Sequence, residues 1–349
     1  MVLIILFNIF FPIILNKIRY NRAQELKFKE YATYCAVYIE EKFNQKELFI
    51  PSTYKDKPIK EIETLNSCDS LEKITLPETI TEIKAEAFKN CENLKTIIAH
   101  KDMRLEVIGI SAFDNCKNLT NLDFDFSNLN SLGSRAFANC ESFTYMDLSQ
   151  SSLTKVPTSC FSLCYSLKEV RLPNIIQTID KYAFFKCTSL EKFDMPDATN
   201  IIEEQAFSFC EKLSILTFTN YSNLFSIGND AFNGCAIKSL TLPYGTAKLG
   251  TRAFANNDIS YLDLPQTIET INTRAFFGNE ILTLIINFHN PYIIGGGKYF
   301  GEKFGFNDTD SSSDIYIKIN LVVYVPASSY NDFVSAWKNY TVEKKLSPQ

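Results

Sequence analysis

Ten cysteines are the most reactive side chains in this chain of 349 residues. A cysteine can bridge to another, ligate zinc or act as a nucleophile, and its spacing decides which of these is open to it. Eight of them, Cys68, Cys91, Cys116, Cys140, Cys164, Cys187, Cys210 and Cys235, recur at intervals of 23 to 25 residues, and Asn257 and Asn279 continue the series. No Cys-x-x-Cys pair exists to hold zinc, and the nearest couple, Cys160 and Cys164, puts Cys160 outside the series. Cys35 also stands apart. The rest of the chemical inventory is thin. With two histidines, His100 and His289, a Ser-His-Asp triad or a histidine-rich metal centre has little material. Gly295, Gly296, Gly297 and Lys298 resemble a phosphate loop, but no Ser or Thr follows the lysine and the glycine spacing is wrong. The residues therefore predict no enzyme, no cofactor and no metal.

The elements that carry the cysteines explain them better. All of the series but Cys68 end a phrase, Ala-Phe-x-x-Cys, as in 87–91, 112–116, 136–140, 206–210 and 231–235, with looser copies at 160–164 and 183–187. The phenylalanines fall at 88, 113, 137, 161, 184, 207, 232, 254 and 276. A period of 22 to 25 residues marks a solenoid of stacked coils. Between copies runs Leu-x-x-Ile-x-Leu, whose last step has strand periodicity, as in Leu71, Ile74 and Leu76. A proline often closes the strand, and a second apolar pair follows. No such unit can bury its apolar side alone, so units must stack. Stacked strands lie about 4.8 Å apart, which brings successive cysteines within reach of one another. Their side chains should nevertheless point in parallel, poor geometry for a disulfide. Asn cannot bridge but can hydrogen-bond turn backbone, so the series reads as a buried structural ladder.

The string L-x-x-I-x-L-P-x-x-I-x-x-I-x-x-x-A-F-x-x-C, best seen in LEKITLPETITEIKAEAFKNC at 71–91, resembles the BspA-like (bacterial-type) leucine-rich repeats. The resemblance covers roughly residues 48–340. It implies an α/β fold: a right-handed leucine-rich repeat solenoid, with a parallel β-sheet on the concave face, short turns or helical turns on the convex face, and capped ends. The expected parts are an apolar N-terminal segment (1–22), an entry cap (23–66), the solenoid (67–290) and an irregular loop with a C-terminal cap (291–349), where Ser329 could cap a helix. The apolar segment MVLIILFNIFFPIIL leaves three readings open: a secretory signal or anchor, a misassigned start, or a helix packed on the first coil.

The working surface is then the outward face of the strands. One outward column runs Lys73, Thr96, Asn121, Tyr145, Glu169, Lys192, Ile215, Ser239, Tyr261, Leu284. Its neighbour runs Thr75, Ile98, Asp123, Asp147, Arg171, Asp194, Thr217, Thr241, Asp263, Ile286. Asn121, Asp123, Tyr145, Asp147, Glu169, Arg171, Lys192, Asp194, Tyr261 and Asp263 mix aromatic with charged groups, as protein interfaces do. A net charge of −5, with both signs interspersed, gives no basic patch for nucleic acid. The family resemblance implies a protein ligand, such as a host matrix or cell-surface protein, and a cell-surface or secreted location. A cytoplasmic scaffold is the alternative. A membrane contact would involve only residues 1–15. Four N-x-S/T sequons, at Asn118, Asn220, Asn307 and Asn339, are about as many as chance gives.

Overall fold

A computed structural model describes residues 26–40, 43–65, 68–219, 221–290, 322–336 and 341–345. The N-terminal apolar segment, the glycine-rich loop after residue 290 and the sequons at Asn220, Asn307 and Asn339 lie outside these residues. The chain forms two compact units, one ending at Met146 and one beginning at Asp147. Each is a parallel β-solenoid.

In the first unit the strands Glu47–Phe49, Lys73–Leu76, Thr96–Ala99 and Asn121–Leu122 pair in parallel, and Tyr145 continues the register. Lys73, Thr96, Asn121 and Tyr145 lie side by side, so a side chain keeps its face from coil to coil. A second column, Lys57–Leu65, Glu82–Ile83, Val107–Ile108 and Ser131–Leu132, is equally parallel. The entry is closed by Cys35–Ile39, which pairs along Lys57–Leu65, and by the antiparallel strand Lys27–Glu30. That outer strand reads Lys-Phe-Lys-Glu and is mostly exposed, and such charge discourages pairing with a foreign strand.

The second unit repeats the plan. Its strand face holds Glu169–Arg171, Lys192–Asp194, Ile215–Thr217, Ser239–Thr241, Tyr261–Leu264 and Thr283–Ile286. Val322–Pro326 and Thr341–Lys345 extend the pairing. The second column runs from Lys155–Val156 to Thr270–Ile271 in uninterrupted parallel register. Among the described residues the one α-helix is Tyr330–Ala336. Ser329 directly precedes it. It ends a 3-10 turn, Ala327–Ser329, and its hydroxyl shares a 2.8 Å hydrogen bond with His289 Nδ1. The histidine thus ties the last strand face to the exit turn.

The Ala-Phe phrase makes the third side of each coil. Its turn needs two residues in left-handed conformation, one before Ala and one before Cys, such as Glu86 and Asn90 or Gln205 and Phe209. The turns also bond coil to coil, as Phe88 N to Ala112 O and Phe207 N to Ala231 O. Alanine is fully buried there, and the phenylalanines stack within each unit. Rings 88, 113 and 137 are 5.1 and 5.2 Å apart and near parallel. Rings 161, 184, 207, 232, 254 and 276 follow at 4.9 to 5.7 Å. Each buried ring contributes about 2–3 kcal/mol by area, with more from offset stacking. Coils approach so closely that Gly250 has no space for a side chain: a Cβ would sit 2.5 Å from Asn229 N.

Candidate functional site

The strand alternation turns Glu169 and Arg171, Lys192 and Asp194, and Ile215 and Thr217 outward, while Phe193 points into the core. These strands are adjacent in the second unit, so their side chains meet. Arg171 Nε donates to Glu169 Oε1 at 2.7 Å, and Nη1 lies 3.8 Å from Asp147 Oδ2. Lys192 Nζ is 2.9 Å from Asp194 Oδ2, and the Thr217 hydroxyl donates to Asp194 Oδ1. Partial burial works to raise the Asp194 pKa, but these two donors outweigh it and hold the carboxyl below its ordinary range. Beside them opens a cleft of about 740 Å³, lined by Lys168, Glu169, Arg171, Lys192, Asp194 and Asp197 among others. It is a polar surface of mixed charge. Among the described residues no three His, Cys, Asp or Glu side chains gather to hold a metal ion.

Behind this surface runs the cysteine series. Cys116 Sγ donates to Phe88 O at 3.1 Å and Cys140 to Phe113 O at 3.2 Å. Cys187, Cys210 and Cys235 repeat the bond to the carbonyls of Phe161, Phe184 and Phe207. Asn257 and Asn279 make the same bond through Nδ2, to Phe232 O and Phe254 O, each at 2.8 Å. Each of these seven rungs thus ties its coil to the phenylalanine carbonyl of the coil before.

Six copies of the BspA type leucine rich repeat region match residues 57–191 and 212–295. The chain belongs to the BspA-type leucine-rich repeat family. Two solved structures share its fold. One is a leucine rich cell surface protein from Faecalibacterium prausnitzii, 21% identical over 93% of this chain and 94% of its own, with a TM-score of 0.55. The other is a leucine-rich repeat protein from Bacteroides ovatus, 18% identical over 93% of this chain and 99% of its own, with a TM-score of 0.60. No curated protein is significantly similar in sequence.

In this BspA-type chain the ladder departs from its sequence-based reading at two points. Cys68 and Cys91 are joined as a disulfide, with Cα atoms 5.2 Å apart. That corrects the expectation that parallel side chains give neighbouring rungs poor geometry for a disulfide, at this one pair. The series differs there in sequence: Leu65 stands where later coils carry the phenylalanine of Ala-Phe. The other eight cysteines are free and buried. Cys35 belongs to the entry, with Sγ 3.9 Å from Tyr54 O, and Cys160 fills a buried alanine position.

The second departure is that Asn is more than a stand-in for Cys. In long coils the first apolar rung follows Cys by three residues and its N–H bonds the Cys carbonyl, as Leu94 N does to Cys91 O. After Cys235 and Asn257 the coil is one residue shorter, and the N–H groups of Ile237 and Ile259 need another acceptor. They find Asn257 Oδ1 at 3.1 Å and Asn279 Oδ1 at 2.9 Å in the next coil. A thiol cannot donate to one earlier carbonyl and accept from a second earlier N–H as well as an amide, with its separate donor and acceptor atoms, can. The same shortening after Asn279 corrects the outward columns at their end. Leu284 and Ile286 are buried, and Thr283 and Ile285 face outward, in register with Tyr261 and Asp263.

Of the expected surface residues, the structure brings Asp147, Glu169, Arg171, Lys192 and Asp194 together. Asn121, Asp123 and Tyr145 lie on the strand face of the first unit, where Asn121 Oδ1 accepts the Thr144 hydroxyl at 2.8 Å. Tyr261 and Asp263 lie on a separate sheet of the second unit, where Asp263 accepts Asn287 Nδ2 at 2.7 Å. Burial and the neighbouring Asp263 raise the Tyr261 hydroxyl above its usual pKa. Sequence reading missed Lys168, Asp197 and Thr219 as cleft residues. Asp197 and Thr219, joined through a hydroxyl-to-carboxylate bond, lie on the loop just past the strands. The only signal for Asp197 was its place directly after Pro196.

Proposed function

We propose that the strand face of the second unit binds a protein ligand, and that the protein acts as an adhesin-like module at the cell surface or after secretion. The observation that carries the reading is the cluster of Asp147, Glu169, Arg171, Lys192 and Asp194 beside an open cleft: charged side chains at exposed positions whose backbone the core already holds in place. Rigid strands that present paired charges bind without first having to order them, which lowers the entropic cost of association. The Faecalibacterium relative is described as a cell surface protein, which is in keeping with this location. The protein is read as non-enzymatic.

Glu169→Lys, Arg171→Glu and Lys192→Glu together should weaken binding of the full chain to immobilised matrix proteins such as fibronectin and fibrinogen at least tenfold, with an unchanged melting temperature. If the wild-type chain binds and the triple variant binds equally well, the interface lies elsewhere. Protease treatment of intact cells should remove the protein, and survival until lysis would sink the surface reading.

One observation favours a cytoplasmic scaffold instead. Eight of the ten cysteines are free thiols, a pattern commoner in reducing compartments than outside the cell. The protease experiment separates the two.

A further inference from the structure

The strand face of the second unit is interrupted where its other sides are not. No ladder of hydrogen bonds joins Glu169–Arg171 to Lys192–Asp194, although these strands follow one another in the stack. The other sides of the same two coils are tied: Thr178–Ile179 pairs with Ile201–Ile202, Asn174 O accepts Ala198 N at 3.1 Å, and Phe184 N donates to Ala206 O at 2.7 Å. The opening is thus confined to the strand side and framed by bonded backbone. Strand alternation identifies the groups that it leaves over. Arg171 O accepts Leu148 N, so Arg171 faces the coil before, and the main-chain groups of Val170 and Leu172 face the break. From the other side, Glu191 O accepts Ser214 N and Ile215 N, and Met195 N donates to Thr217 O, so the main-chain groups of Lys192 and Asp194 face back toward it. These four residues make no main-chain hydrogen bond among the described residues. The cleft of about 740 Å³ opens here, with Val170 and Leu172 among its walls. Both are half-buried, whereas the same rungs of a later coil, Leu240 and Leu242, are buried.

We infer that this break is the docking slot for an extended segment of the protein ligand, whose main chain bonds the open groups of Val170, Leu172, Lys192 and Asp194 and whose apolar side chains rest on Val170 and Leu172. The inference rests on the strand-face reading above and deepens it. N–H and C=O groups set out at strand spacing are complementary to another main chain in extended form, which presents the same groups at the same spacing. Unpaired strand edges are templates for such pairing, and natural sheets cover or charge them. Here the charge stands at the rim, in Glu169, Lys192 and Asp194, while the floor is apolar. Recognition through the main chain asks for alternating apolar side chains in the ligand more than for one exact sequence. The bonded sides of the coils hold the slot ready, so little order has to be imposed when the ligand binds.

Proline at position 192 tests the slot, because it removes an N–H that the fold leaves unbonded. Lys192→Pro should bind immobilised fibronectin and fibrinogen about tenfold more weakly than Lys192→Ala, the worth of one lost hydrogen bond, with the same melting temperature. Equal binding of the two variants would overturn the slot and leave the strand-face reading standing. A second measurement uses the wild-type full chain and the neutral peptide acetyl-Thr-Val-Thr-Val-Thr-Val-amide, followed by residue-resolved hydrogen exchange. The amides of Val170, Lys192 and Asp194 should exchange freely in the chain alone and several-fold more slowly with the peptide. Protection without peptide, or no change with it, would overturn the proposal. N-methylation of one alternate set of peptide residues should abolish the effect, and of the other set preserve it. Identical behaviour of the two sets would mean apolar adhesion in place of strand pairing. Protection by the peptide in a chain that binds neither matrix protein would support the slot and count against the adhesin reading alone.

Discussion

At the scale of single residues, the ladder shows how much one atom type can decide. Asn257 Nδ2 bonds Phe232 O, Phe254 O and Ala255 O while its Oδ1 serves Ile237 N. Asn257→Cys keeps the first of these bonds and leaves the Ile237 N–H buried without an acceptor, which should cost about 1–3 kcal/mol in denaturant unfolding. Inserting one residue between Ala236 and Ile237 in that variant should recover most of the loss, because the restored coil length lets the N–H return to the Cys235 carbonyl. Burial also pushes the thiols of Cys116, Cys187 and Cys235 well above their usual pKa. A group raised in the folded state contributes its full stability below its unfolded pKa and loses it above. Stability should therefore fall from about pH 9 upward, by about 1.4 kcal/mol per pH unit for each such thiol. Unfolding midpoints measured between pH 7 and 10 in the absence of oxidant would show it, and a flat profile would mean that these thiols ionise in place.

At the scale of elements, the phenylalanine stack is the firmest part of each coil. Phe207 contacts Phe184 and Phe232 at 4.9 and 5.0 Å and meets Phe193 edge-on at 4.7 Å. Phe207→Ala removes all three contacts and should cost about 3–5 kcal/mol, measured by thermal or denaturant unfolding, whereas Phe209→Ala on the exposed turn should cost far less. The stack was fully legible in the sequence, because Ala-Phe-x-x-Cys fixes the phase of every coil. Strand positions were legible from Leu-x-x-Ile-x-Leu through the first two short coils as well, and the slip at Leu284 followed from carrying a long-coil spacing into the last one. The disulfide was not legible, since Cys68 and Cys91 stand at the same repeat spacing as cysteines that stay unbridged. Nor were the loop residues of the cleft, because Lys168, Asp197 and Thr219 lie outside the alternation that identifies a strand face.

At the scale of the whole molecule, the chain carries 35 basic and 40 acidic residues, and many of the described ones pair locally with a neighbour of opposite sign. Lys46 and Lys95 share Glu72, whose pKa falls to about 2, with the Lys46 hydrogen bond the larger cause. Arg135 meets Asp114 and Arg252 meets Asp230 in the same coil-to-coil fashion. Such neighbour pairing neutralises the surface as the repeat grows. The protein should pass through a heparin column at physiological salt, and retention would point to a basic surface that the described residues lack. Ligand recognition is therefore expected to depend on specific side chains on the strand face and little on long-range attraction.

The sealed thiols have one more consequence. Each free rung becomes reactive only when its own coil opens, so the rate at which a given cysteine is trapped by a reagent reports the opening equilibrium at that place in the chain. Cys116 and Cys140 in one unit, and Cys164, Cys187, Cys210 and Cys235 in the other, are native probes spaced one per coil. Few proteins arrive with such a ruler already built in: local stability along each solenoid can be read by mass spectrometry without introducing a single label site.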